Sequence, residues 1–347
     1  MNCAPSPVAL ATALPRRPSV SVIIPTFNRA DLLRGSVESV LSQTHPVAEV
    51  LIVDDGSTDE TASVVQSMTD RQAGNGPRLR YLRQPNAGKS VAINQALALV
   101  SSEWIAFNDS DDRWHPEKVE RQLHALRRHP DARACFTNAS YSHRYHGRAS
   151  EFEGGLDVSG ELGQLRDSVS TALTNRRIRM QTVLVRADAM QAAGNFDPAM
   201  RVAQDVDFIL RLSLVTPLCY VNLPLVEINR DPTHATRLTV QHALASRARD
   251  EAHEHMLAKW QPLLRAHRPD LCRQLSRDLW RKRSALANHL LLAGDTRGAR
   301  AVLARGLRDR FNARLFLKLG LTLIAPGLYV RALMHDALRE RASLSTL

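Results

Sequence analysis

Short apolar runs alternating with amphipathic stretches organise the first half of the chain. Val20-Ser21-Val22-Ile23-Ile24 is largely β-branched and closes on Pro25, the pattern of a buried strand. Between 29 and 44, Leu32, Leu33, Val37, Val40 and Leu41 recur on one face at helical spacing. The alternation continues with a strand at 49–53, a helix at 59–68, a strand at 78–83, a helix at 91–100 and a strand at 104–107. Repeated βα units predict an α/β fold, a mostly parallel sheet flanked by helices. Farther on, 181–185 reads as a strand and 205–213 as a helix. From about 243 the pattern is almost purely helical. There 279–293 and 297–307 predict two helices joined at Gly294-Asp295, a hairpin of the kind used for packing or interaction.

Polar clusters follow the predicted strands, and in open parallel sheets ligands bind beyond the carboxyl ends of the strands. Asn108-Asp109-Ser110-Asp111-Asp112 concentrates negative charge, with Arg113 the one adjacent cation. A hard divalent cation, Mg²⁺ or Mn²⁺, would relieve that repulsion and neutralise a diphosphate leaving group. The alternative is that Asp111 or Asp112 caps a helix starting near Pro116. Asp54-Asp55-Gly56-Ser57 reads either as a turn before a helix cap at Thr58 or Asp59, or as acceptors for a nucleobase and ribose. Asn86-Ala87-Gly88-Lys89-Ser90 is not a Walker loop, which needs glycine at position 83, where Arg83 stands. Gly88 and Lys89 still open a predicted helix, where a diphosphate is favoured.

Composition narrows the field. A chain of 347 residues that is 44% hydrophobic and 23% charged suits one large domain with a smaller appendage. At 5% aromatic it offers little for base stacking, so no nucleic-acid partner is expected. From residue 245 onward there are 20 Lys and Arg against 9 Asp and Glu, while the preceding residues hold 26 of each. The whole +11 excess therefore sits on the last third. Such a tail suits an anionic partner such as a phospholipid surface, or is simply a solvated Arg-rich face. The stretch 315–330 is mostly apolar and flanked by Arg314 and Arg331. It reads as a helix resting on membrane or as a core helix of the tail. The apolar run 319–330 is broken by Pro326 and is shorter than the ~20 residues of a membrane-spanning helix. Cys3, Cys135, Cys219 and Cys272 lie far apart and form no ligand pair, which fits a reducing cytoplasm. No basic residue precedes the weak apolar stretch 8–14, so 1–18 reads as a disordered leader rather than a signal peptide.

In order and spacing these segments resemble the inverting family 2 glycosyltransferases of the GT-A fold, a Rossmann-like sheet. The resemblance runs through Val20 to Arg29, Ser39-Val40-Leu41-Ser42-Gln43-Thr44, Ile52 to Asp59, Asn86 to Ser90 with Asn94, and Asn108 to Asp112 with Trp114. It covers roughly 19–237. It implies a GT-A domain at 19–240 followed by a basic helical extension at 241–347.

By that resemblance Pro25, Thr26 and Asn28 line the nucleotide pocket, Asp55 meets the base, and Gly88 and Lys89 approach the diphosphate. Asp109 and Asp111 become the ends of a DxD metal motif, Asp111 the more direct ligand to Mn²⁺ or Mg²⁺. Asp112 becomes a donor-sugar contact or supports the ligands from behind. Asp205, in Gln204-Asp205-Val206-Asp207-Phe208, takes the place of the catalytic base, with helix capping as its alternative. Gln204 stands where a glutamate is more usual. His234 becomes a diphosphate contact, and Arg211 is expected to pair structurally with an acidic residue. No QxxRW-like motif follows Asp205, which argues against chain polymerisation. Positions 138–177 carry no assignable motif.

The expected activity is transfer of one sugar from a nucleoside-diphosphate sugar, by default a UDP-sugar, to a glycan or lipid-linked acceptor in cell-surface polysaccharide synthesis. The expected location is cytoplasmic, peripheral at the inner face of the membrane. One alternative is a non-catalytic GT-A-like protein recruiting partners through its tail. Another, a nucleotidyltransferase, lacks its glycine-rich signature at the first strand.

Overall fold

The computed structural model describes residues 17–71, 76–145, 148–153, 155–175, 177–230, 246–309 and 312–334. Positions 1–16 of the expected leader and the expected boundary at 240 lie outside them. Every residue of β1 (Val20–Thr26) and β2 (Glu49–Asp54) is buried. A strand buried on both faces needs a layer on each side, and its side chains alternate between the two. Ile23, Leu51 and Val53 belong to one apolar cluster, and Val22, Ile24, Val50 and Ile52 to the other.

The other strands are β3 (Arg78–Arg83), β4 (Trp104–Phe107), β5 (Arg113–Trp114), β6 (Ala134–Tyr145), β7 (Arg148–Ser150), β8 (Leu162–Gln164), β9 (Val183–Arg186) and β10 (Leu218–Ile228). They form one sheet in the order β3-β2-β1-β4-β9-β6-β10-β5, with β7 on β6 and β8 on β10. The sheet is mostly parallel, as the βα repeats predict. Its longest ladders, β1–β2, β2–β3, β1–β4 and β6–β10, are all parallel. Short antiparallel pairings attach β5, β7, β8 and β9. β3, with Arg78, Arg80 and Arg83, is the partly exposed edge, where charge discourages pairing with another chain.

The helices of this part are α1 (Ala30–Leu41), α2 (Thr61–Arg71), α3 (Lys89–Leu97), α4 (Lys118–Arg128), α5 (Ser168–Asn175), α6 (Ala187–Ala193) and α7 (Gln204–Val215). α1, α2 and α4 cover one face through Leu33, Val37, Val65 and Leu123. α3, α5, α6 and α7 cover the other through Ile93, Leu173, Met190 and Phe208.

The C-terminal region is helical: α8 (Ser246–His267), α9 (Cys272–Leu292), α10 (Thr296–Asp309), α11 (Ala313–Ile324) and α12 (Pro326–Met334). Met256, Leu257, Trp260 and Leu264 of α8 share the apolar cluster of Phe107, Phe136 and Phe208. The sheet's core thus continues into the first tail helix. Arg268 clamps the junction with two 2.7 Å hydrogen bonds to the Asp167 carboxylate. α9, α10 and α11 enclose a separate cluster around Leu286, Leu290, Leu303 and Leu315. Cys135 and Cys219 face each other in register on β6 and β10, and both are free thiols.

Candidate active site

Because β1 to β4 run parallel, their carboxyl ends open on one edge, and the loops that follow meet there. Pro25 lies opposite Val53 inside the ladder, and Thr26 opposite Asp54. The Thr26 hydroxyl is buried without a hydrogen-bond partner. Asn28 adopts φ 51°, a left-handed conformation that asparagine tolerates. From it, Asn28 Oδ1 accepts from the Thr58 amide at 2.8 Å, and its own amide donates to Ser57 Oγ at 2.9 Å. The first two loops are thereby tied together.

Asp54 and Asp55 diverge. The Asp54 carboxylate is fully buried, accepting from the Ser57 amide and the Tyr81 hydroxyl, so it serves the turn. Burial and that hydrogen bond together raise the Tyr81 hydroxyl well above its ordinary value. Asp55 accepts from Gln84 Nε2 at 2.7 Å and from the amides of Ala87 and Gly88, both at 2.8 Å. Its carboxylate shapes the third loop. Gly56 (φ 83°) permits the approach: a Cβ there would lie 2.9 Å from the Asn86 amide nitrogen.

Asp109, Asp111 and Asp112 each offer a carboxylate oxygen within 4.8 Å of the others. Asn108, fully buried, fixes their loop by donating to Ser36 Oγ and to the Asp112 carbonyl. The three do not share a role. Asp112 is buried, accepting from Gln181 Nε2 at 2.7 Å and from the Asn229 amide at 2.9 Å. Burial, then the neighbouring charges of Asp111 and Asp109, push its carboxyl well above the ordinary value. Asp109 and Asp111 are only partly buried. The adjacent cation in sequence, Arg113, lies against Gly35 of α1. Lys89, from the start of α3, takes its place and pairs with Asp109 at 2.5 Å. Burial would lower the Lys89 ammonium, but Asp109, with Asp205 and Asp111 behind it, holds it above its ordinary value.

The structure therefore gathers Lys89, Asp109, Asp111 and Asp205 into one electrostatic neighbourhood. Asp205 stands in the first turn of α7, which Ala203 enters in a left-handed conformation. Asp207, two residues on, is fully buried. It accepts from Arg211 Nε and Trp260 Nε1, both at 3.0 Å, and from Lys259 Nζ at 3.1 Å. Arg211 is thus structural, as the sequence suggests. Gln204 is buried, its amide oxygen without a partner. His234 lies outside the described residues.

Residues 21–170 match the family model described as glycosyl transferase family 2. This segment belongs to glycosyltransferase family 2. Chondroitin synthase of Escherichia coli is 32% identical over 214 residues, 61% of this chain and 29% of that protein. The chain spans less than half the length of the curated relatives it matches. Among solved structures, mannosyltransferase PcManGT from Pyrobaculum calidifontis, in complex with GDP-Man and Mn²⁺, superposes with TM-score 0.53 at 20% identity. That match covers 91% of this chain and 88% of the other. S. aureus TarS 1-349 in complex with UDP-GlcNAc superposes with TM-score 0.52 at 20% identity, covering 69% and 66%. At such identities the shared feature is the GT-A fold.

Three arginines near these residues escaped the sequence reading. Arg179 pairs with buried Glu151 and also feels the charge of Asp205. Burial opposes its charge, but those carboxylates outweigh it and raise its value. Arg201 lies beside Gly88, its Nη1 3.6 Å from where a Cβ would stand. Arg230, after β10, lowers the Asp112 carboxyl against the acidic neighbours. They stand far apart in sequence, and folding brings Arg179 toward Asp205, Arg201 to Gly88 and Arg230 toward Asp112.

Proposed function

We propose that this chain is a metal-dependent inverting glycosyltransferase. It would move a single sugar from a nucleoside-diphosphate sugar, a UDP-sugar by default, to a hydroxyl of a glycan or lipid-linked acceptor. The observation that carries this is the convergence of Asp109 and Asp111 with Lys89 and Asp205 at the carboxyl edge of the parallel strands. The chondroitin synthase relative and the neighbours holding UDP-GlcNAc or GDP-Man with Mn²⁺ favour the same chemistry.

The donor set fits a hard divalent ion: three clustered carboxylates, two of them partly exposed. Asp109 and Asp111 would hold it, with Asp112 bracing their loop from behind. When bound, the ion would offset diphosphate charge and improve the leaving group. Lys89, at the amino end of α3, adds a positive charge and a helix terminus on the diphosphate side. Asp55 holds the loop that presents Lys89, and Asn28 locks the neighbouring loops. Asp205 removes the proton from the acceptor hydroxyl as its oxygen attacks the anomeric carbon. The bond from that carbon to the diphosphate oxygen breaks in the same in-line step. The nucleoside diphosphate leaves, and the configuration inverts.

The test is product analysis with Mn²⁺, candidate donors and acceptors, comparing the wild type with Asp205→Asn. The expected result is a glycoside plus a nucleoside diphosphate, with kcat reduced about 100- to 10,000-fold in the variant and donor affinity held. Full turnover by Asp205→Asn would refute the base assignment. Release of pyrophosphate with a sugar nucleotide would replace the reading with nucleotidyl transfer.

A further inference from the structure

α11 departs from the pattern of a surface helix. Such a helix turns an apolar stripe inward and a polar face to water. α11 does bury Leu315 and Thr322 and packs Leu319 against the tail cluster. Its outward face is nevertheless apolar: Phe316, Leu317, Leu321, Leu323 and Ile324 are 46–86% exposed. At 100° per residue these positions, with Ala313 and Gly320 between them, fill an arc of roughly 160° without a polar side chain. α12 meets α11 at 117° and adds Leu328 and Met334, 68% and 54% exposed. Of the ten large hydrophobic side chains exposed among the described residues, seven lie on these two helices. A patch this concentrated marks a surface meant to be covered.

Charge identifies the cover. Ala313 to Met334 contain Arg314, Lys318 and Arg331 and no acidic residue. The neighbouring α10 adds Arg297, Arg300, Arg305 and Arg308 against Asp309. A second copy would bring the same positive charge to the face, whereas anionic phospholipid brings the opposite charge. Among the described residues no single helix is long and apolar enough to cross a membrane. At 1.5 Å per residue, α11 and α12 each fall short of a ~30 Å hydrocarbon core. Two short helices with apolar outer faces and basic flanks suit the interface, lying in its plane.

We propose that α11 and α12 form a monotopic docking surface for an anionic phospholipid membrane. Phe316, Leu317, Leu321, Ile324 and Leu328 enter the acyl boundary, while Arg314 and Arg331 meet headgroup phosphates. A lipid-linked acceptor would then be encountered at the surface where the chain rests. This surface is independent of the residues assigned to catalysis.

The experiment is co-sedimentation of the full chain with vesicles of phosphatidylcholine, with and without roughly one-third phosphatidylglycerol. Wild type is expected to bind the anionic vesicles more tightly than the neutral ones. Leu317→Glu combined with Ile324→Glu should lose on the order of 100-fold in vesicle affinity, while helicity and melting temperature hold. Arg314→Gln with Arg331→Gln leaves the apolar face intact and should reduce only the preference for anionic vesicles, by on the order of fivefold per charge. Absence of wild-type binding, or unchanged binding by both variants, would overturn the proposal. So would a lipid-free dimer that Leu317→Glu with Ile324→Glu abolishes and that vesicles do not dissolve, which would assign the face to a second copy.

Discussion

Asp207→Asn should cost this protein about 3–4 kcal/mol of stability. The native carboxylate is 0% exposed and receives Arg211 and Lys259 on Oδ2 and the Trp260 indole on Oδ1. The amide keeps the size of the side chain and an oxygen for one donor, but it deletes the charge that Arg211 pairs with and one of the two that Lys259 pairs with. Removing one partner of a buried ion pair costs about 3–5 kcal/mol. The upper end is not reached, because Lys259 is 29% exposed and keeps Asp197 at 3.0 Å. Arg211, at 12% exposure, suffers most. Against a typical total of about 5–15 kcal/mol the loss is large. Urea unfolding followed by tryptophan fluorescence measures it, with Lys259→Met as the comparison, expected to lose about 1 kcal/mol or less. A loss below about 1 kcal/mol for Asp207→Asn would refute the reasoning and show that the Asp207 charge does not hold the tail helix.

Two further predictions concern the frame of the site. Lys118 is fully buried beneath the Trp114 ring with its ammonium 2.9 Å from Gln122 Oε1, and burial pushes it down to about 7 from 10.5. The folded state then carries fewer protons than the unfolded state between those values. Stability contributed by this group should therefore rise from about pH 7 toward pH 10, by a few kcal/mol. Lys118→Met should flatten that slope in denaturant melts taken across the range, and an unchanged slope would exclude the cause. Gly56→Ala should lower stability by about 1–3 kcal/mol and weaken donor binding. A Cβ at φ 83° meets the Asn86 backbone nitrogen at 2.9 Å, and the loop held by Asp55 must shift. Wild-type nucleotide affinity in that variant would show that the loop can move without consequence.

What the sequence discloses and what it conceals divide along the range of the interactions. Runs such as 20–24 and 49–53 announce central strands because burial on both faces writes a continuous apolar string. The loops at their ends are legible for the same reason, since a parallel sheet leaves one edge for the polar clusters. β6 and β10 stayed hidden. β6 carries Asn138, whose Oδ1 accepts from the amides of Ala139 and Phe152, so polar side chains replace the alternating pattern. β10 carries Pro224 at an irregularity in its ladder, where a proline is tolerated. The strand read at 181–185 is a single 3₁₀ turn followed by β9, which begins at Val183. Within the acidic clusters, sequence does not separate structural from available carboxylates. Asp112 and Asp207 look like Asp111 and Asp205 until Gln181 and Trp260 arrive from elsewhere in the chain. Arg179 owes its place to Glu151, a pairing that no local pattern announces.

The most direct test of the central claim is calorimetric titration with uridine, guanosine and thymidine diphosphates, with and without Mn²⁺, on the wild type and Asp111→Asn. The account predicts that one nucleotide binds in a Mn²⁺-dependent way and that Asp111→Asn weakens it at least about tenfold, the worth of one charge-assisted contact. Failure of all three to bind in the presence of Mn²⁺, or equal binding by Asp111→Asn, would contradict it.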